Sequence, residues 1–181
     1  MHNNGSAGDV GELFVSVLMN HVMDKVKLAT SSHYTFFSNI EVELAVFLSM
    51  LLSDSTLHDA KVSQELVKGK INFTHFTRSF NPAHVEGAGS AATYYYRGAA
   101  VIAPPSYESV DIFIPVLKEN CCYVWLFVQV KNYDSFSISF SSVSHGIQRF
   151  YPSLGGEEGS KLKYDGLFLL LNCEANHSAL L

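Results

Sequence analysis

An α/β domain, with a mixed sheet flanked by helices, is the fold class this sequence predicts, and three observations carry it. Val110–Leu117 and Tyr123–Lys131 are strand-sized apolar runs separated by the turn Lys118-Glu119-Asn120. A further apolar run, Leu167–Leu171, follows Asp165-Gly166. Ahead of them, Val10, Leu13, Phe14, Val17, Leu18, His21 and Val22 recur at helical spacing.

Each element has its own warrant. Asp9 can cap the first helix, with Glu12 as its capping-box partner three residues on, which sets a helix over about residues 9–27. Residues 30–39 are polar and aromatic and read as a connection. Ile40–Leu52 is apolar on most faces and predicts a second helix, with Glu41 and Glu43 at its acidic start. A short helix is expected within 57–68, and Ile71–Phe80 is either a strand or a docking segment. Gly87-Ala88-Gly89-Ser90 reads as a turn or loop. Tyr94–Ala103 reads as a strand stopped by Pro104-Pro105. Tyr123–Lys131 is so apolar that both its faces should be covered, and the short turn before it should make it antiparallel to Val110–Leu117. Residues 137–150 suit a helix through Ile138, Val143, Ile147 and Phe150. The order is helix, inserted helical region, three strands, helix, strand.

The 181 residues suit one domain, 1–181, with an insertion over about 30–90 and its informative part at 94–132. Hydrophobic residues at 48% against 16% charged give enough apolar surface for a core. The net charge of −5 counts mildly against a nucleic-acid binder, although a metal site is itself acidic and a local basic groove would suffice. Of the three cysteines, Cys121 and Cys122 are adjacent and Cys173 is remote, so no zinc pattern exists. With an odd cysteine count and no secretory leader, the expectation is an intracellular setting. No apolar run has the length of a membrane span. The chain stops soon after its last strand, which suits one domain of a longer protein. No phosphate-binding glycine loop and no nucleophile elbow is present.

The chemistry lies at two strand ends. Asp111 opens one apolar strand, and Gln129-Val130-Lys131 closes the next. In an antiparallel hairpin those ends adjoin, and residues 129 and 131 share a face. A carboxylate at such a place is costly unless it is paired or metal-bound. Taken alone, Asp111 is equally a strand-entry residue, Lys131 a solvated strand end and Gln129 a satisfied buried amide. The three together favour a site. Glu12, on the first helix, is explained as well by capping as by metal binding. Arg97 can contact phosphate or form a surface ion pair. Tyr94-Tyr95-Tyr96 can stack on bases, or alternate between core and surface as strand residues do. The eight histidines show no ligand spacing.

Asp111 with Gln129-Val130-Lys131 resembles the active-site motif of the PD-(D/E)XK nuclease superfamily, the restriction-endonuclease-like fold. That fold's core order, αβββαβ, is the order read above. The segment Gly8-Asp9-Val10-Gly11-Glu12-Leu13 looks like the superfamily's first helix with its catalytic Glu. Residues 97–132 are also similar to nuclease-like domains of uncharacterised fungal proteins, some linked to mobile elements or to Crinkler-type effectors. The resemblance implies a magnesium- or manganese-dependent cleavage of nucleic acid, DNA in preference. Asp111, Gln129, the Val130 carbonyl and Glu12 would serve the metal, Lys131 the attacking water, and Arg97 the phosphates. Two departures stand out: Gln129 replaces the usual acidic residue, and the proline lies six residues before Asp111, at Pro105. The lost carboxylate keeps open a second expectation, an inactive nuclease-fold module that binds nucleic acid or a protein.

Overall fold

The computed structural model describes residues 7–30, 40–52, 68–87, 89–104, 107, 110–131 and 167–172. The helix expected at 137–150 lies outside them, as does nearly all of the connection expected at 30–39, whose first residue ends α1, and of the helix expected at 57–68. The described elements are α1 (Ala7–Thr30), β1 (Val42–Glu43), α2 (Leu44–Leu51), β2 (Lys70–Ile71), β3 (His75–Arg78), α3 (Ala83–Glu86), α4 (Ser90–Tyr96), β4 (Ala99–Ile102), β5 (Ile112–Leu117), β6 (Tyr123–Lys131) and β7 (Leu167–Asn172).

The architecture is mixed α/β, a curled mixed sheet flanked by helices. β5 and β6 pair antiparallel from Ile112↔Val128 to Leu117↔Tyr123, as their short turn requires. β7 runs parallel to β6 on the side away from β5. The other edge of β5 is shared. β4 pairs with its first two residues, Ile112 and Phe113, and β2 with its last two, Val116 and Leu117. β3 lies parallel outside β4, and β1 antiparallel outside β2. Pro115 falls in the seam between β2 and β4. The hairpin turn bond from Lys118 N–H to the Cys122 carbonyl shows that the even-numbered residues of β5 bond across to β6. The nitrogen of Pro115 therefore faces the seam, where no ladder donor is needed.

Period-two alternation splits the core in two. Ile112, Ile114, Val116, Val124, Leu126 and Val128 pack toward α1 and α2, with Val15, Met19, Met23 and Phe47. Phe113, Trp125 and Phe127 pack on the other face with Val85 and Ala91 of α3 and α4, where the Trp125 indole N–H donates to the Val85 carbonyl at 3.2 Å. Lys27 of α1 is wholly buried. Its amine donates to the Phe73 carbonyl at 3.2 Å and to Asn72 Oδ1 at 3.3 Å, tying α1 to the link between β2 and β3. Burial pushes its pKa down, partly opposed by the nearby Asp24 carboxylate.

Three expectations are corrected. The stretch Tyr94–Tyr96 ends a helix, so the strand expected from 94 begins only at Ala99. Ala91 and Tyr95, four residues apart, are the buried pair of that helix, and Gly98 at φ 62° makes the turn into β4. The second helix starts at Leu44 rather than Ile40, because Val42 and Glu43 pair with Ile71 and Lys70. Finally, the apolar stripe read along α1 faces mostly away from the core, with Val22 the exception. Val10, Leu13, Phe14, Val17 and Leu18 are exposed, while Val15, Met19, Val22, Met23 and Val26 are buried. Both faces of α1 are apolar, so periodicity alone could not choose between them.

Candidate functional site at the ends of β5 and β6

Asp111 stands where β5 begins. Its N–H donates to the Val128 carbonyl at 2.8 Å, and its carbonyl accepts from Ala103 N–H at 2.8 Å. Val128 is already the register partner of Ile112, so two residues of one strand face one of the other. That is a β-bulge, a device that re-aims a side chain at a strand end. Here it brings the carboxylate into line with the edge of β6. Asp111 Oδ2 accepts the Val130 N–H at 2.6 Å. Past the bulge, a side-chain oxygen thus takes a bond that a strand carbonyl would accept in a regular ladder. A hydrogen bond to a charged group contributes about 1.5–3 kcal/mol.

The bond fixes the relation of Asp111 to the run 129–131. Because the N–H and C=O of an extended residue point to the same edge, the Val130 carbonyl also faces the β5 side. Gln129 is buried, at 8% exposure, and by alternation lies on the face of Trp125 and Phe127. Lys131 ends β6 in register with Asn172 of β7.

Glu12 comes to the same end of the sheet from above. A Cβ added to Gly11 would stand 3.4 Å from Val130 Cγ1, so the first turns of α1 lie against the last residues of β6. Glu12 Oε2 accepts from Arg78 Nη2 at 3.2 Å. Arg78 ends β3 in register with Ile102, which is paired with Ile112, so it belongs to this strand-end cluster. The Glu12–Arg78 pair thus lies over the α1 face, Gln129 on the opposite face, and the Asp111 carboxylate at the edge between them. Sequence reasoning missed Arg78. The only signal was an arginine closing a short run with Phe76, and its place depends on a parallel pairing of residues far apart in the chain.

Arg97 is not part of this cluster. It caps the C-terminus of α4, the full length of β4 away from Asp111. With His84, Ser90, Thr93 and Tyr94 it lines a shallow surface pocket of about 260 Å³. Among the described residues, no group of three or more His, Cys, Asp or Glu could hold a metal ion. The donors present at the strand ends are instead one carboxylate, one amide and one backbone carbonyl, with Glu12 nearby.

The turn end of the same hairpin carries a different polar cluster. Tyr95 OH donates to Glu41 Oε1 at 2.8 Å and Lys70 Nζ to Glu41 Oε2 at 3.1 Å. The Tyr95 hydroxyl, and then Lys70, hold the Glu41 carboxyl below its usual range. Burial, together with Glu41, pushes the Tyr95 phenol up. Tyr123 OH donates to Tyr96 OH at 2.7 Å, and that bond pushes Tyr123 up to about 12.

Among the described residues, no helix is long and apolar enough to cross a membrane. Residues 9–148 match the model of a protein family described as Domain of unknown function (DUF8736). No curated protein and no solved structure matches the chain.

Proposed function

The chain belongs to the family described as Domain of unknown function (DUF8736), and we propose that it is a metal-dependent phosphodiesterase of the PD-(D/E)XK type, acting on nucleic acid and preferentially on DNA. The observation that carries this is the 2.6 Å bond from Val130 N–H to the Asp111 carboxylate, which sets the acid against the middle residue of Gln129-Val130-Lys131. Leaving aside the six described elements between α1 and β4, the succession α1, β4, β5, β6, β7 supports a restriction-endonuclease-like core as the frame for it.

The donor set suits a hard cation. Asp111, the Gln129 amide oxygen and the Val130 carbonyl are all oxygen ligands, the kind magnesium and manganese prefer. Those three residues would hold the ion, with Glu12 acting through water. A bound divalent ion supplies Lewis acidity toward phosphate and a water of lowered pKa. The chain's own groups do the rest. Lys131 orients the attacking water and offsets charge growing on the phosphate. The Val130 N–H holds Asp111 in one orientation, so little reorganisation is needed. Arg78 holds Glu12 at the strand ends by direct charge pairing.

The test is incubation of the purified chain with supercoiled, linear duplex and single-stranded DNA and with RNA, in magnesium or manganese. Cleavage is expected, lost with chelator and lost in Lys131→Ala. A wild-type chain that cuts none of these substrates, or cutting that survives in Lys131→Ala, ends the reading.

One observation favours a second reading, a nuclease-fold module that binds without turnover. Gln129 leaves the site one carboxylate short, and Glu12 is engaged by Arg78. Manganese titration separates the two. A saturable site abolished by Asp111→Asn belongs to the enzyme, and its absence in wild type to the module.

A further inference from the structure

From the outer face of α1 we infer that this chain associates with a second copy of itself, the two α1 helices crossing antiparallel about a two-fold axis at Phe14. Val10, Leu13, Phe14 and Val17 are each 61–63% exposed, and Leu18 is 37% exposed. The inner face of the same helix is already full of Val15, Met19, Met23 and Val26. A helix that is apolar all round is normally covered all round. At about 100 Å² each, the five outer side chains present on the order of 500 Å². That is near the upper limit of patches left open on monomers. With a polar rim, it approaches the roughly 800 Å² per partner of a standard interface.

The pattern of the patch selects the occupant. Val10, Phe14 and Leu18 form one i±4 ridge and Leu13 and Val17 a second, the geometry of helices crossing at about 50°. A two-fold interface must be complementary to itself. Centred on Phe14, an antiparallel crossing sets Val10 against Leu18 of the partner subunit and Phe14 against the partner's Phe14, so apolar meets apolar throughout. Glu12 is the only charged residue between Val10 and Leu18, and it is engaged by Arg78. An anionic membrane fits less well. Interfacial helices flank their apolar face with Lys and Arg, and α1 has neither before Lys25.

Sedimentation velocity on the full chain, at concentrations from below to well above micromolar, reads the association directly. The wild type is expected to move to a dimer as concentration rises. Phe14→Lys, at the centre of the patch, should weaken it by roughly tenfold or more, with an unchanged far-ultraviolet spectrum because the site is exposed. Phe80→Lys, at a still more exposed residue outside α1, should leave it intact. In a chain with Cys121, Cys122 and Cys173 changed to Ser, Phe14→Cys should give a disulfide-linked dimer under oxidation and Leu28→Cys should not. A wild type that stays monomeric throughout, a Phe14→Lys chain that dimerises as tightly as the wild type, or flotation with anionic vesicles in place of self-association each overturns the inference.

Discussion

Both ends of the β5–β6 hairpin carry a carboxylate, and they hold it in opposite ways. At the turn end, Glu41 is gripped by side chains, the Tyr95 hydroxyl and the Lys70 amine. At the open end, Asp111 is gripped by main chain, through its own N–H and C=O and through the Val130 N–H on its carboxylate. Side-chain partners neutralise and close a corner. Main-chain bonds such as those Asp111 makes fix the direction of a group, which suits a group that must act. The rings of Tyr95, Tyr96 and Tyr123 pack around the first corner, Tyr95 edge to face with the other two, with centroids 5.3–6.2 Å apart. Around the second stand Glu12, Arg78 and Gln129, where β6 ends at Lys131. The difference separates a seal from a candidate site.

Substitutions can break that contrast, and the strongest is at Asp111. Asp111→Ala leaves the Val130 N–H without its partner and should cost about 1–3 kcal/mol in urea unfolding. Asp111→Asn keeps an oxygen for that N–H, so it should lose less than about 1 kcal/mol while still abolishing metal binding and cleavage. Equal stability losses in the two variants would show that the 2.6 Å bond is not what holds the strand end. Next comes Tyr95→Phe, which removes a hydroxyl from Glu41 and should cost about 1–2 kcal/mol, with no effect on cleavage. A loss of cleavage there would erase the distinction between the two ends.

Acid titration gives a smaller effect. The folded pKa of Glu41 lies below its ordinary 4.5. Its contribution is therefore present above that value and lost as pH falls through the folded value. Glu41→Gln should flatten the decline in urea midpoint below about pH 4.5 and leave Asp111 untouched. Smallest in stability is Glu12→Gln, because a partly exposed ion pair contributes about 0–1 kcal/mol. Its value is as a sharpener. If the variant keeps full cleavage, Glu12 belongs to Arg78 and the helix cap; if cleavage collapses while the thermal midpoint holds, it belongs to the metal.

What was legible in the sequence was whatever depended on neighbours along the chain. β6 was bounded at Tyr123 and Lys131, and β5 within two residues, because continuous apolar runs and a three-residue turn leave little choice. The same hairpin logic brought Asp111 beside 129–131. What failed depended on distant pairing. Val42-Glu43 became a strand only because Lys70-Ile71 came to meet it. Tyr94–Tyr96 have strand-like side chains but serve a helix, because Trp125 and Val85 leave a shelf for one. Arg78 reached the site through β3 lying parallel to β4. The bulge at Asp111 has no sequence mark, and it is what aims the carboxylate.

The seam at Pro115 has a dynamic consequence. β3 with β4, and β1 with β2, lean on separate halves of β5 and share no ladder bond across the seam. Each half can therefore open without unzipping the other, as two small cooperative units on a common spine. Amide exchange should report this, with Ile71, in a two-residue strand, losing protection before Val101 and Phe113. The fraying of β1 and β2 at the phenol-rich end would then leave the frame around Asp111 closed.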